Sequence, residues 1–129
     1  MPRVKKKRTV FCDIDGTIFK YRKFEEIKST KAELTPGALE QLKRWKTDGC
    51  MIIFTTARPE ELRNHTVKEL LLNDVPWDKL IMGIERGPRY LVNDMDPAQP
   101  RQLRAIAYSI KRDEGLKRVI VGDTEEILK

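Results

Sequence analysis

Short apolar runs alternate with amphipathic helical patterns along this chain of 129 residues, and that alternation constrains the fold more than any other feature. Five apolar runs predict strands at residues 9–14, 50–58, 79–84, 89–94 and 117–123. Three stretches with apolar residues at helical spacing predict helices at residues 35–49, 59–74 and 100–115. Strands that alternate with helices predict right-handed crossovers between parallel strands. We therefore expect an α/β fold with three layers and a central, mainly parallel sheet of about five strands.

Polar residues follow three of the predicted strands. Asp13 and Asp15 lie at the end of the first, Thr56 at the end of the second, and Asn93 and Asp94 at the end of the fourth. Sites in open parallel sheets lie beyond the carboxyl ends of the strands, so we expect the three clusters to converge on one edge. Two carboxylates at a strand end can share a hard cation such as Mg²⁺, which takes oxygen ligands.

The same edge of the sheet is suited to bind a phosphate group. Gly16 permits an unusual backbone turn beside the aspartates. The hydroxyl of Thr56 and the backbone N–H groups near it precede a helix that opens at Pro59, and such a helix start attracts anions. Each motif alone has a simpler interpretation, because the acids could bond their own backbone in a turn and residues 55–59 could cap a helix. Their occurrence together, in order and at strand ends, favours a functional site.

These residues resemble known motifs. The stretch "VFCDIDGT" (10–17) resembles the first motif of the haloacid dehalogenase superfamily of phosphohydrolases, "MIIFTTARP" (51–59) is similar to its second, and "YLVNDMD" (90–96) resembles its acidic fourth. The stretches "LTPGALEQLKRW", "TTARPEELRNHT" and "GPRYLVND" are similar to a small capless subgroup associated with surface-sugar biosynthesis. The resemblance implies one Rossmann-like catalytic domain over residues 1–129, without a cap domain.

The resemblance also implies roles. Asp13 would be the nucleophile that forms an aspartyl-phosphate. Asp15 would be the general acid and then the general base, as ester hydrolysis requires, so the resemblance implies a phosphatase. Thr56, with Ala57 and Gly16, would bind the transferring phosphoryl group.

The resemblance implies Mg²⁺ as the cofactor, held by Asp13, the backbone carbonyl of Asp15, Asp94 and Asn93. Asn93 departs from the family pattern, which often has two adjacent acids here. The stretch "VIVGDTEEI" also resembles a fourth motif, with Asp123 as the ligand; we prefer Asp94.

Arginines stand where the family usually has a lysine in its third motif. No lysine lies just before the predicted fourth strand, and Arg86 and Arg89 are the candidates for binding the phosphoryl group or pairing with Asp13. Arg58, at the start of the second helix, could act at the same site or form a salt bridge between that helix and a loop.

The space available bounds the substrate class without choosing one substrate. Residues 18–34 and 59–79 leave no room for a cap, so the site would be open, which suits either a large substrate or a small phosphosugar enclosed by neighbouring subunits. The finer resemblance implies the sugar phosphate, so we expect a phosphorylated small molecule and a homo-oligomer, with Phe19, Tyr21 and Phe24 of the loop as anchors. The alternatives are a polynucleotide or phosphoprotein phosphatase, or a degenerate, non-catalytic module that binds phosphate or nucleic acid.

Composition bounds the partners and the compartment. The net charge of +6 favours anionic partners, and the only dense basic cluster, "RVKKKR" (3–8), is interpreted as a solvated tail over residues 1–8 or as an arm for nucleic acid. Cys12 and Cys50 lack metal-ligand spacing and predict free buried thiols in a reducing compartment. No apolar run is long enough to span a bilayer and no secretory signal is visible, so we expect a cytoplasmic protein without membrane contact.

Overall fold

A small parallel sheet of three strands organises this α/β protein. The computed structural model of the chain describes residues 7–122. The strands are β1 (Thr9–Cys12), β2 (Met51–Thr55) and β3 (Lys79–Ile81), hydrogen-bonded in the order β1-β2-β3. They confirm the first three predicted strands, with shorter bounds.

Helices connect the strands. Helix α1 (Ala38–Thr47) lies between β1 and β2, and α2 (Arg63–Leu72) lies between β2 and β3, preceded by a 3₁₀ turn at Glu60–Leu62. These are the first two predicted helices. Helix α1 begins three residues later than expected, because residues 36 and 37 form a turn in which Gly37 adopts a left-handed φ of 71°.

The core lies between the sheet and the two helices. Alternate strand residues face the helices, since successive side chains of a strand point to opposite faces. Val10 pairs with Ile52, and Phe54 pairs with both Cys12 and Leu80. These residues pack with buried side chains of both helices: Ala38, Leu42, Trp45 and Leu70.

The prediction of three layers is wrong for the described residues. Both crossovers run in the same direction along the sheet, so two right-handed connections place both helices on one face. On the opposite face, Phe11 of β1 is 54% exposed and Ile81 of β3 is 45% exposed. Ile53 of β2, on this same face, is 8% exposed, so the face is partly covered, but neither α1 nor α2 lies on it and the two helices form one layer.

The count of about five strands is also not met. Residues 89–94 and 100–115 form neither the predicted fourth strand nor the predicted third helix, and residues 117–122 form no strand. A strand requires a partner for its backbone groups and a covered face, yet Tyr90 and Val92 are 91% and 92% exposed. Asp123, the last residue of the predicted fifth strand, lies outside the described residues, as do residues 1–6 of the basic tail.

The segment after residue 112 is fastened to the core by turns. The backbone N–H of Asp113 donates to the carbonyl of Gly16, and that of Leu116 donates to the carbonyl of Pro36. Asp113 and Gly115 both have positive φ, 64° and 94°, which interrupts a helix and a strand alike. A Cβ atom at Gly115 would collide with the carbonyl of Pro36, so only glycine allows this approach.

None of the helices between residues 7 and 122 is long and apolar enough to cross a membrane.

Candidate active site

Asp13 and Asp15 follow directly on the end of β1, and a tight turn fixes their backbone. The carbonyl of Ile14 accepts three N–H groups, from Thr17, Ile18 and Phe19, at 3.2, 2.9 and 3.1 Å. Ile14 is fully buried and anchors the turn in the core. Gly16 supplies the left-handed φ of 83° that the turn needs.

Thr56 follows the end of β2 in the neighbouring position along the sheet. Its side chain is 1% exposed, and its hydroxyl oxygen accepts the backbone N–H of Arg58 at 3.1 Å. A hydroxyl can accept and donate at once, so the Thr56 O–H remains a donor.

A cleft of about 200 Å³ opens over these strand ends. It brings together the predicted residues Asp13, Asp15, Thr56, Ala57, Arg86 and Arg89. Arg58 and Gly87 also line the cleft, as do four residues of the loop after β1: Tyr21, Arg22, Phe24 and Ile27. Gly16 is not among the lining residues, and its role is in the turn.

Asp13 is loosely held. Its carboxylate accepts the hydroxyl of Thr17 at 3.3 Å and lies 4.0 Å from the guanidinium of Arg89. Burial raises the pKa of Asp13 above 3.8, an effect that the Ile14 N–H and the Arg89 charge oppose and that the Asp15 charge reinforces.

Asp15 is held firmly by Arg58. The Nε of Arg58 donates to one carboxylate oxygen at 2.9 Å and its Nη2 to the other at 2.8 Å, which is the bidentate geometry of a strong charge-assisted pair. Arg58 is 3% exposed. Burial lowers the pKa of Arg58, but its hydrogen bonds and charge attraction to Asp15 and Glu69 outweigh this and raise it.

Glu69 is the residue that sequence reasoning missed. It is 6% exposed and accepts Arg58 Nη1 at 2.8 Å and Arg22 Nη2 at 3.0 Å. Burial would raise the pKa of Glu69, but hydrogen bonds from Arg22 and Arg58 hold it below its ordinary value. A signal was present, because Leu62, Thr66 and Glu69 fall at i, i+4 and i+7, which places a charged residue on the buried face of α2.

The loop over residues 20–34, which we name the rim loop, forms one wall of the cleft. Its ends are joined, since the backbone N–H of Lys20 donates to the carbonyl of Glu33, and Phe19, just before the loop, forms a β-bridge with Leu34 at the end of the loop. Arg22 braces its interior by donating to the carbonyls of Ile27 and Thr30, at 3.2 and 3.0 Å.

The aromatic residues of this region divide into two kinds. Phe19 is fully buried in the core, so the expectation that it anchors a neighbouring subunit is wrong. Tyr21 and Phe24 are 42% and 48% exposed at the cleft. The guanidinium of Arg112 lies 3.9 Å from the centre of the Tyr21 ring, a cation–π contact.

Arg86 and Arg89 reach the cleft because the chain after β3 runs along the end of β2. Gly83 donates its N–H to the carbonyl of Arg58, and Ile84 donates to the carbonyl of Thr56. Arg89 is the arginine of this pair that lies near Asp13.

Asn93 and Asp94, the other predicted metal ligands, do not line the cleft. The Asp94 side chain is 74% exposed and pairs with Arg104 at 3.1 Å. The expected convergence depended on a strand over residues 89–94, which the described structure lacks. Their part in metal binding therefore stays a prediction.

Mg²⁺ fits the remaining donor set through a single carboxylate. Both carboxylate oxygens of Asp15 are committed to Arg58, and between residues 7 and 122 no three acidic, histidine or cysteine side chains are placed to hold a metal ion together. Proteins commonly hold Mg²⁺ by one or two carboxylates together with waters and the phosphate of the substrate. Asp13 suits that role, because among residues 7–122 its one ion-pair partner is Arg89, at 4.0 Å.

Comparison with known proteins gives one family. The family model for the LNS2 domain of PITM 1-3 matches residues 10–97, which include β1, β2, β3 and the cleft. No curated protein matches the chain.

Two solved structures match part of the chain, and the first of them shares its fold. A chain of the Pnkp1/Rnl/Hen1 complex has a TM-score of 0.54 and 23% identity; the match covers 65% of this chain and 30% of that one. A crystal structure of a protein from Vibrio cholerae has a TM-score of 0.49 and 15% identity, and the match covers 71% of this chain and 85% of that one. This chain therefore spans less than a third of the length of the first of these proteins.

Proposed function

The chain belongs to the LNS2 domain family, part of the HAD-like superfamily of phosphatases, and from that premise we propose that it is a Mg²⁺-dependent phosphomonoesterase. The observation that carries the proposal is the meeting of Asp13, Asp15 and Thr56 at one cleft. A nucleophile, a proton donor and a hydroxyl donor for a phosphoryl group are what phosphoester hydrolysis requires.

The reaction has two steps in this proposal. A carboxylate oxygen of Asp13 forms a bond to phosphorus while the bond from phosphorus to the ester oxygen breaks, and Asp15 donates its proton to the leaving alcohol. Asp15 then removes a proton from water, which attacks phosphorus and releases Asp13 and inorganic phosphate. The Thr56 hydroxyl and Arg89 stabilise the charge on the phosphoryl oxygens.

Mg²⁺ would be held by Asp13, with the backbone carbonyl of Asp15, Asp94 and Asn93 as the further predicted ligands. When bound, the ion supplies positive charge that offsets the repulsion between a carboxylate and a phosphate dianion. The charge of Arg89 acts in the same direction from the chain itself.

Hydrolysis of p-nitrophenyl phosphate tests this function. We expect turnover with Mg²⁺ and its loss with a chelator, restored by adding Mg²⁺ in excess. Absence of hydrolysis at saturating Mg²⁺, with phosphate still bound, would instead favour the non-catalytic binding module.

A small sugar phosphate is the substrate that we favour. The cleft of about 200 Å³ is smaller than a typical ligand pocket of roughly 300–1,000 Å³, so it suits a phosphoryl group and a compact leaving group. Among residues 7–122, the chain between β1 and α1 holds only turns and the rim loop, and a 3₁₀ turn and α2 are the only elements between β2 and β3, which supports a capless enzyme. We also propose a homo-oligomer in which Tyr21 and Phe24 meet a neighbouring subunit, and light scattering measures its mass.

A polynucleotide end is the second candidate, and the rim favours it. Tyr21 and Phe24 present partly exposed rings beside Arg86 and Arg89, and rings with adjacent cations suit stacked bases and backbone phosphates. Measuring kcat/KM for a panel of sugar monophosphates and for a 3′-phosphorylated oligonucleotide separates the two candidate substrates, because kcat/KM should be clearly higher for one class.

A further inference from the structure

Four side chains of alternating charge lie in a row from the rim loop to the cleft. Arg22 pairs with Glu69 at 2.9 Å, Glu69 pairs with Arg58 at 2.8 Å, and Arg58 pairs with Asp15 at 2.8 Å. We name this row the charge chain. Its first three side chains are 2–9% exposed, while that of Asp15 is 19% exposed and reaches the cleft.

Arg58 uses nearly all of its donors within the protein. Two go to Asp15, and its Nη1 donates to Thr66 at 2.9 Å and to Glu69 at 2.8 Å. An arginine has five N–H donors, so four of them are committed. Only one N–H, on Nη2, is left for a substrate phosphate, and a two-pronged grip on phosphate would require breaking the fork to Asp15, which makes Arg58 a poor phosphate ligand despite its place in the wall.

We propose that Arg58, anchored by Glu69, is a positioning residue that holds the Asp15 carboxyl group in the orientation needed for proton transfer. The proposal rests on the function proposed above, since it concerns the same cleft. In this role, Arg58 and Glu69 act on the reaction through Asp15 and do not bind the substrate.

The leaving group distinguishes this role from others. The p-nitrophenolate ion departs without a proton, whereas an alkyl alkoxide needs one, so a misplaced acid slows alkyl phosphates far more than aryl phosphates. Loss of a phosphate ligand, or general damage to the fold, would slow both substrates to a similar degree.

The experiment compares Arg58→Lys and Glu69→Gln with the wild type. Lysine keeps the charge but lacks the fork, and glutamine keeps the shape of Glu69 but lacks its charge. For each protein, kcat/KM is measured with p-nitrophenyl phosphate and with glycerol phosphate at saturating Mg²⁺. The ratio kcat/KM reports the first phosphoryl transfer, in which the acid acts.

For Arg58→Lys we expect a loss on glycerol phosphate at least tenfold greater than the loss on p-nitrophenyl phosphate. Glu69→Gln should also lower kcat/KM more on glycerol phosphate than on p-nitrophenyl phosphate, but by a smaller factor. The matched control is Arg63→Lys, which alters an exposed bidentate pair with Glu60 and should leave both rates unchanged.

Equal losses on both substrates, or a rise in KM alone, would overturn the proposal while leaving the phosphatase function intact. A wild-type protein without Mg²⁺-dependent hydrolysis of either ester would overturn the function first. If Arg58→Lys does not fold, Glu69→Gln decides by the same ratio.

Discussion

The two aspartates at the end of β1 are only two residues apart, yet the Asp13 side and the Asp15 side of the cleft differ in kind. The Asp13 side chain is 38% exposed and meets Arg89 at 4.0 Å, whereas that of Asp15 is 19% exposed and is gripped by both arms of Arg58. A nucleophile needs free oxygens, and a proton carrier needs a fixed orientation. This difference shows that one short motif can serve two roles when different neighbours contact its two carboxylates.

The largest expected effect comes from Asp13→Asn. Asparagine is nearly isosteric but is no anionic nucleophile, so turnover should fall by at least roughly 1,000-fold. The measurement is the initial rate of p-nitrophenyl phosphate hydrolysis. Activity near the wild-type rate would contradict the covalent mechanism.

The same variant should be more stable than the wild type at neutral pH. Because burial raises the pKa of Asp13 in the folded state, its ionised form costs stability above that pKa, and the cost disappears below the ordinary value of 3.8. The gain in Tm at pH 7 should therefore vanish near pH 3.

Asp15→Asn should be less stable than the wild type. It leaves the buried Arg58 with a neutral partner, and a hydrogen bond to a charged group is worth roughly 1.5–3 kcal/mol. Its activity should fall by roughly 10²–10⁴-fold, the range for loss of a general acid. Urea unfolding measures the stability, and Asp74→Asn, in an exposed pair with Lys43, is the control. Equal stability of Asp15→Asn and the wild type would show that the pair between Arg58 and Asp15 does not stabilise the fold.

Asp94→Ala tests whether a second carboxylate binds Mg²⁺ together with Asp13. If Asp94 binds Mg²⁺ with Asp13, the Mg²⁺ concentration for half-maximal activity should rise roughly tenfold or more. Asp123→Ala should change it little. The reverse pattern would transfer the metal role to the C-terminal motif.

The smallest effect is expected from Arg89→Gln. Burial raises the pKa of Asp13 and the Arg89 charge opposes that rise, so removing the charge should raise the pKa further and move the acid limb of the kcat/KM profile to higher pH. Arg86→Gln serves as the control in the same cleft. An acid limb that stays in place, or moves to lower pH, would separate Arg89 from the nucleophile.

Much of the site could be predicted because it depends on local order. Asp13, Asp15 and Thr56 directly follow apolar strands, and parallel strands bring their carboxyl ends to one edge. The fork between Arg58 and Asp15 depends instead on how α2 seats Glu69 and Thr66 behind the arginine. Sequence spacing left Arg58 with two roles, and only its contacts show that it pairs with the acid.

Residues 89–122 mark the limit of pattern reasoning. Their apolar periodicity is as clear as that of β2 or α1, but a strand or a short helix persists only where packing supports it. Tyr90 and Val92 lie exposed and unpaired with the sheet, while the positive φ of Asp113 and Gly115 turns the chain back onto Gly16 and Pro36.

The sequence by itself determined the parallel strand–helix–strand alternation of residues 9–81 and the placing of two acids and a hydroxyl at strand ends, because these follow from periodicity and chain direction. The tertiary structure alone decided which acid is gripped and which is free, how many strands and layers form, and where Asp94 lies. Those outcomes depend on contacts between residues far apart in the chain, such as Arg58 with Asp15 and Arg22 with Glu69, and on the close approach of Gly115 to Pro36.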